Sequence, residues 1–118
     1  MASIKFPLQQ IEKFNDRIEN CLQDLSCRNI FEIYLTQSKK YNALNTLKLW
    51  TTANSGTSFS EDMYDLIDDV DGFNENPLLS ISEHHQKLDY VKSECSRILN
   101  KHGTHKKFIQ YLLENHRL

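Results

Sequence analysis

The chain has 118 residues, 25% of them charged and 39% hydrophobic, with a formal net charge of −2. That length suits one domain with one core, and the charge balance excludes a protein whose main work is to neutralise nucleic-acid phosphates or coat an anionic membrane. No stretch approaches the ~20 apolar residues of a membrane-spanning helix.

The start, "MASIKFPLQQIEKF", lacks the apolar core of a secretory signal, so a cytoplasmic or nuclear location is expected. Cys21, Cys27 and Cys95 are an odd number without a CxxC pair, which argues for reduced thiols rather than a disulfide framework. Three glycines and two prolines are few turn formers, and no repeat interrupts the chain. A single all-helical domain over residues 1–118 is therefore expected.

In chain order, Pro7 suits a first helical turn, and Leu8, Ile11, Phe14, Ile18, Cys21, Leu22 and Leu25 recur at three- and four-residue steps, predicting one long helix from Pro7 to Leu25. Asp24 to Ser26 breaks it. Ser26 or Asn29 then caps a short second helix with Ile30, Phe31, Tyr34 and Leu35 on one face. After the polar "SKKYN", Leu44, Leu47, Trp50 and Ala53 predict a third helix with Asn42 as its cap. Ser58 and Glu61 form a capping-box pattern before Met63, Tyr64, Leu66, Ile67 and Val70, a fourth helix with an acidic outer face. "NENP" reads as a loop, and Ser80 with Glu83 as a second capping box for a fifth helix carrying Leu88, Val91, Cys95, Ile98 and Leu99. Gly103 stops that helix, and Thr104 caps a last one bearing Phe108, Ile109, Tyr111, Leu112 and Leu113. The expectation is an all-α bundle of about six helices in which Trp50 is clamped between neighbouring helices.

The segment "FEIYLTQSKKYNALNTLKLW", residues 31–50, resembles the part of regulator of G-protein signalling (RGS) domains where a phenylalanine-rich helix leads through a variable loop into a helix bearing a leucine and a tryptophan. The upstream "IEKFNDRIENCLQDLSCRNIF" and the downstream "YVKSECSRILNKHGTHKKFIQYL" are also similar, so the resemblance covers most of the chain. It implies a helical bundle with its terminal helices together in one subdomain and a four-helix bundle in the other. It also implies a G-protein α subunit, or a peptide segment of a signalling protein, as partner. Active members speed GTP hydrolysis by stabilising the switch loops of the α subunit, without donating a catalytic group. The family's key asparagine, four residues before the tryptophan, corresponds to Thr46, with Asn45 one step and about 100° away on a helix. The acidic residues that accompany it are replaced by Tyr41, Asn42 and Ala43, after Lys39 and Lys40. These departures point to a noncatalytic docking module whose partner-facing loop carries Lys39, Lys40, Tyr41, Asn42, Asn45 and Thr46. A GTPase-activating RGS domain and a death-fold assembly adaptor, which also packs six short helices, are the alternatives.

Residues 61–75 carry seven acidic side chains and no basic one, making Asp62, Asp65, Asp68 and Asp69 a second candidate surface, suited to a basic partner. "DDVDGFNEN" fails as a calcium loop, because placing Gly72 sixth puts Ile67 first and Leu78 twelfth, where carboxylates are needed. All five histidines fall between His84 and His116 without paired cysteines, so solvated histidines with helix-end roles are expected rather than zinc ligands. No glycine-rich phosphate loop, GxSxG elbow or HExxH motif occurs, so neither an enzyme nor a cofactor is expected.

Overall fold

The apolar stripes are realised as helices, but their boundaries follow tertiary contacts that spacing alone does not encode. The computed structural model describes residues 4–56, 61–74 and 76–118, with only the backbone of His102. Among these are eight α-helices: α1 (Leu8–Asp16), α2 (Ile18–Gln23), α3 (Leu25–Gln37), α4 (Tyr41–Asn54), α5 (Glu61–Asp69), α6 (Asn76–Ser80), α7 (His84–Asn100) and α8 (Thr104–Asn115). One 3-10 turn, Lys101–Gly103, joins α7 to α8.

The expected first helix is thus two, broken at Arg17, whose backbone is extended at φ −143° and ψ 132°. In a continuous helix the Phe14 carbonyl would accept from the amide of Ile18. Here it accepts instead from Nε2 of His105, 2.7 Å away on α8. The apolar period survives the break, since Ile11, Phe14, Ile18, Cys21 and Leu22 are all buried. Its ends do not, because Leu8 and Leu25 are exposed.

Asp24, rather than Ser26 or Asn29, caps α3, with Oδ1 accepting from the Cys27 amide at 2.9 Å. Far from short, α3 runs for 13 residues. Ser58 and its capping box lie outside the described residues. Ser80 caps nothing: its hydroxyl donates to the Pro77 carbonyl within α6, which occupies part of the expected "NENP" loop, and Glu83 precedes α7. Thr104 is the first residue of α8, and the position before it is Gly103 at φ 71°, a left-handed backbone that glycine adopts freely.

The buried apolar side chains form one cluster. Helix α4 packs most extensively on α7 and next on α5, while α1 packs on α2 and α8. The chain ends meet: the Phe6 amide donates to the His116 carbonyl at 2.7 Å, and the Leu118 amide donates back to the Phe6 carbonyl at 2.9 Å. Aromatic stacking ties α3 to α8, with Phe31 and Phe108 parallel at 4.2 Å between centroids and Tyr34 tilted on Tyr111 at 4.9 Å. Trp50 is buried, with the Arg28 guanidinium of α3 5.2 Å from its ring centroid and Lys92 Nζ of α7 at 5.5 Å. The two cations take up the negative face of the indole quadrupole, so the ring is pinned by charge as well as by burial.

Candidate functional site at the end of the helical bundle

The turn between α3 and α4 is a tight one. The Lys40 amide donates to the Leu35 carbonyl at 3.0 Å and the Lys39 amide to the Thr36 carbonyl at 3.2 Å, the paired bonds of a Schellman motif. Its left-handed position is normally glycine, yet here Lys39 holds φ 58°, and it is the one non-glycine residue with positive φ among those described. A side chain in that region costs free energy, and such strain concentrates at functional turns.

Directly after this turn, Asn42 does not cap α4. Its Oδ1 reaches across to accept from the Asp71 amide at 2.7 Å, in the turn that follows α5. From α7, Arg97 Nη2 donates to the Gly72 carbonyl at 2.8 Å, and the Tyr90 hydroxyl donates to the Asn74 carbonyl at 2.7 Å. Arg97 is aimed by Glu94, whose Oε2 accepts from its Nε at 2.6 Å and holds the guanidinium pKa above its ordinary value. Burial, and then the Glu94 charge, push the Tyr90 phenol up, keeping it a donor. Three side chains from α4 and α7 therefore fix the connection after α5.

Together these elements enclose a cleft of about 210 Å³, lined by Asn42 and Ala43 of α4, Asp71 and Gly72, Arg97 and Ile98 of α7, and Lys101 and Thr104 around the last turn. The first turn of α4, the turn after α5 and the turn between α7 and α8, distant in sequence, meet at this cleft.

Of the expected loop residues, Lys39, Tyr41 and Asn42 are exposed, Lys40 and Asn45 half-buried, and Thr46 fully buried. Thr46 therefore cannot meet a partner: it lies inside α4, and its hydroxyl donates to the Asn42 carbonyl at 2.8 Å. The polar loop itself is only Ser38 to Lys40, because α4 begins at Tyr41. Tyr41, 59% exposed and next in the chain to the cleft residue Asn42, is a large aromatic in water. Sequence reading missed Asp71, Gly72, Arg97 and Lys101. The signals present were Gly72 and Gly103 as helix stops, which mark the ends of α5 and α7 without saying that the ends coincide in space.

Of the second candidate surface, Asp62, Asp65, Asp68 and Asp69 are exposed on α5, while Met63 and Ile67 of the same helix are buried. None of the four carboxylates forms an ion pair among the described residues. His105 departs from the expected solvated role, being buried on the Phe14 carbonyl, and His116 Nδ1 donates to the Ile4 carbonyl at 2.7 Å. Among the described residues no three His, Cys, Asp or Glu side chains gather as a metal site, and no helix is long and apolar enough to cross a membrane.

No family model matches the chain, and neither does any curated protein or solved structure.

Proposed function

We propose that the chain is a divergent RGS-like module that docks another protein, without catalysis, through the end of the bundle where the three turns meet. The observation carrying this reading is the meeting of the first turn of α4, the turn after α5 and the α7–α8 turn around the Asn42, Asp71 and Arg97 cleft, with the strained Lys39 three residues before Asn42 in the chain. A rigid scaffold that gathers distant turns on one face is a common way to build a recognition surface. The RGS-like part is supported by the packing of α1 against α8 at the joined chain ends, while α4 packs on α5 and α7 in the other half. The noncatalytic part is supported by Thr46, whose burial removes the side chain standing where active members present their key asparagine. Lys39, Lys40, Tyr41, Asn42 and Asn45 remain the docking residues, joined by Lys101. The partner is a G-protein α subunit or a peptide segment of a signalling protein, met in the cytoplasm or nucleus.

The test compares capture of purified α subunits and signalling-protein peptides by the wild-type chain and by a Lys39→Glu, Lys40→Glu, Tyr41→Ala variant. Loss of capture in the variant supports the face, and unchanged affinity removes it. Single-turnover GTP hydrolysis is followed in parallel: acceleration beyond about tenfold, ~1.4 kcal/mol of barrier, overturns the noncatalytic reading in favour of an activator. Assembly of the chain alone into filaments favours the death-fold alternative.

A further inference from the structure

Two of the three thiols lie against each other. Cys21, in the last turn of α2, and Cys27, in the first turn of α3, are both fully buried, with their sulfurs 2.6 Å apart. They face each other across the corner at Asp24, and among the described residues neither sulfur has another hydrogen-bonding partner. A covalent S–S bond measures about 2.05 Å, so roughly half an ångström of approach separates this contact from a bond.

We propose that Cys21 and Cys27 are a built-in crosslinking pair, joined as an intrachain disulfide by a small-molecule disulfide oxidant, and that the link locks the α2–α3 corner. In the first step one thiol loses its proton and attacks a sulfur of the reagent RSSR, breaking the reagent S–S bond; the departing thiolate takes up the proton as RSH. In the second, the other thiol attacks the protein sulfur of the mixed disulfide and releases a second RSH. Two protein S–H bonds and one reagent S–S bond become one protein S–S bond and two reagent S–H bonds, so two electrons pass to the reagent. Burial, the hydrogen bond to Cys21 and the nearby charges of Cys21 and Asp24 push the Cys27 thiol well above its ordinary pKa. Thiolate is therefore scarce in the closed corner, and the reaction runs when the corner opens or while the chain refolds. Cys95, buried on α7 and also raised by burial, is the internal control.

The experiment refolds the full chain from urea with oxidised glutathione, then alkylates under denaturing conditions. The tryptic peptide 18–28 contains both cysteines and has no cleavage site between them. Expected is that this peptide is lighter by two hydrogens and unalkylated, while Cys95 is alkylated. Cleavage before Asp24 should give two pieces that separate only on reduction. The oxidised chain should melt roughly 5–10 °C above the reduced one, as a short closed loop predicts. Three alkylated cysteines, a link through Cys95, persistent mixed disulfides or a lowered melting temperature overturn the proposal. Cys95→Ala should leave the link intact, and because the decisive measurement is made on the wild-type chain, poor folding of a Cys27→Ala variant does not blunt it.

Discussion

Lys39 carries its strain for no gain in packing, since its side chain is exposed and the turn it makes is one that glycine makes freely. Lys39→Gly should accordingly stabilise the chain by roughly 0.5–1 kcal/mol, read from urea unfolding, while weakening docking if the side chain meets the partner. A stability gain with unchanged docking would reduce Lys39 to a poor turn residue. Trp50 lies at the opposite extreme. Replacing it with alanine empties a space between α3, α4 and α7 and removes the ring that Arg28 and Lys92 lie over, so Trp50→Ala should cost roughly 3–5 kcal/mol, a large share of the stability of an ordinary domain. His105 supplies a pH dependence whose sign follows from burial. The Phe14 carbonyl can only accept, so Nε2 carries the proton and the neutral ring satisfies the contact. Burial lowers the His105 pKa from 6.5, outweighing the Phe14 carbonyl and the Glu19 charge, which favour protonation. Asp16, Arg17 and Lys106 line the adjoining cleft. With the folded value below the unfolded one, the unfolded chain binds more protons between the two, so this stabilisation is complete above 6.5 and is lost as pH falls through the folded value. Melting temperature followed from neutral to mildly acidic pH should show the loss, and His105→Gln, which keeps a donor without titrating, should remove that step.

Helices show most clearly what a linear pattern can and cannot carry. The stripe of Ile11, Phe14, Ile18, Cys21 and Leu22 was legible because burial at three- and four-residue steps persists across α1 and α2. The break at Arg17 was not, because the group that takes up the freed Phe14 carbonyl is a histidine 91 positions away, and no local propensity announces that contact. Caps were misread for a related reason: Asp24, Ser26 and Asn29 are all competent cap residues, and the choice fell to Asp24, whose other oxygen accepts from Gln10 of α1 at 3.3 Å. Asp24→Ala should cost about 1 kcal/mol in denaturant unfolding, whereas Asn29→Ala, on an exposed face of α3, should cost a few tenths at most. The candidate site divides in the same way. Lys39 and Lys40 could be read as the end of a helix, since the apolar period stops there. Their neighbourhood could not, because Asn42 meets Asp71 across 29 residues and Arg97 meets Gly72 across 25. Thr46 was assigned to the surface by analogy with a loop position. In this chain α4 starts early enough to put that position one full turn inside a helix, on its buried side.

At the scale of the molecule, 45 Å long and about 26 Å across, the joined chain ends and the three-turn cleft are fixed by separate sets of contacts. The chain ends rest on the paired Phe6 backbone bonds and on the edge-to-face packing of Phe6 with Phe14, 5.2 Å between centroids. The cleft rests on Asn42, Tyr90 and Arg97 holding the connection after α5. Among the described residues α8 alone joins the two, starting with Thr104 at the cleft and ending one residue before His116 at the chain ends, about 18 Å away along a straight helix. Separate contact sets predict separate local openings, each visible in native-state amide exchange. Phe6→Ala should speed exchange at the Leu118 amide, which loses its ordered acceptor, while the Asp71 amide keeps its relative protection. Asn42→Ala should do the reverse, exposing Asp71 by the loss of one hydrogen bond, about 1 kcal/mol or roughly a fivefold faster exchange, and leaving Leu118 as it was. If either substitution accelerates both amides equally, the molecule opens as one unit through α8. A partner gripping the cleft would then tighten the chain ends as well, and the docking face could not be treated as an independent surface.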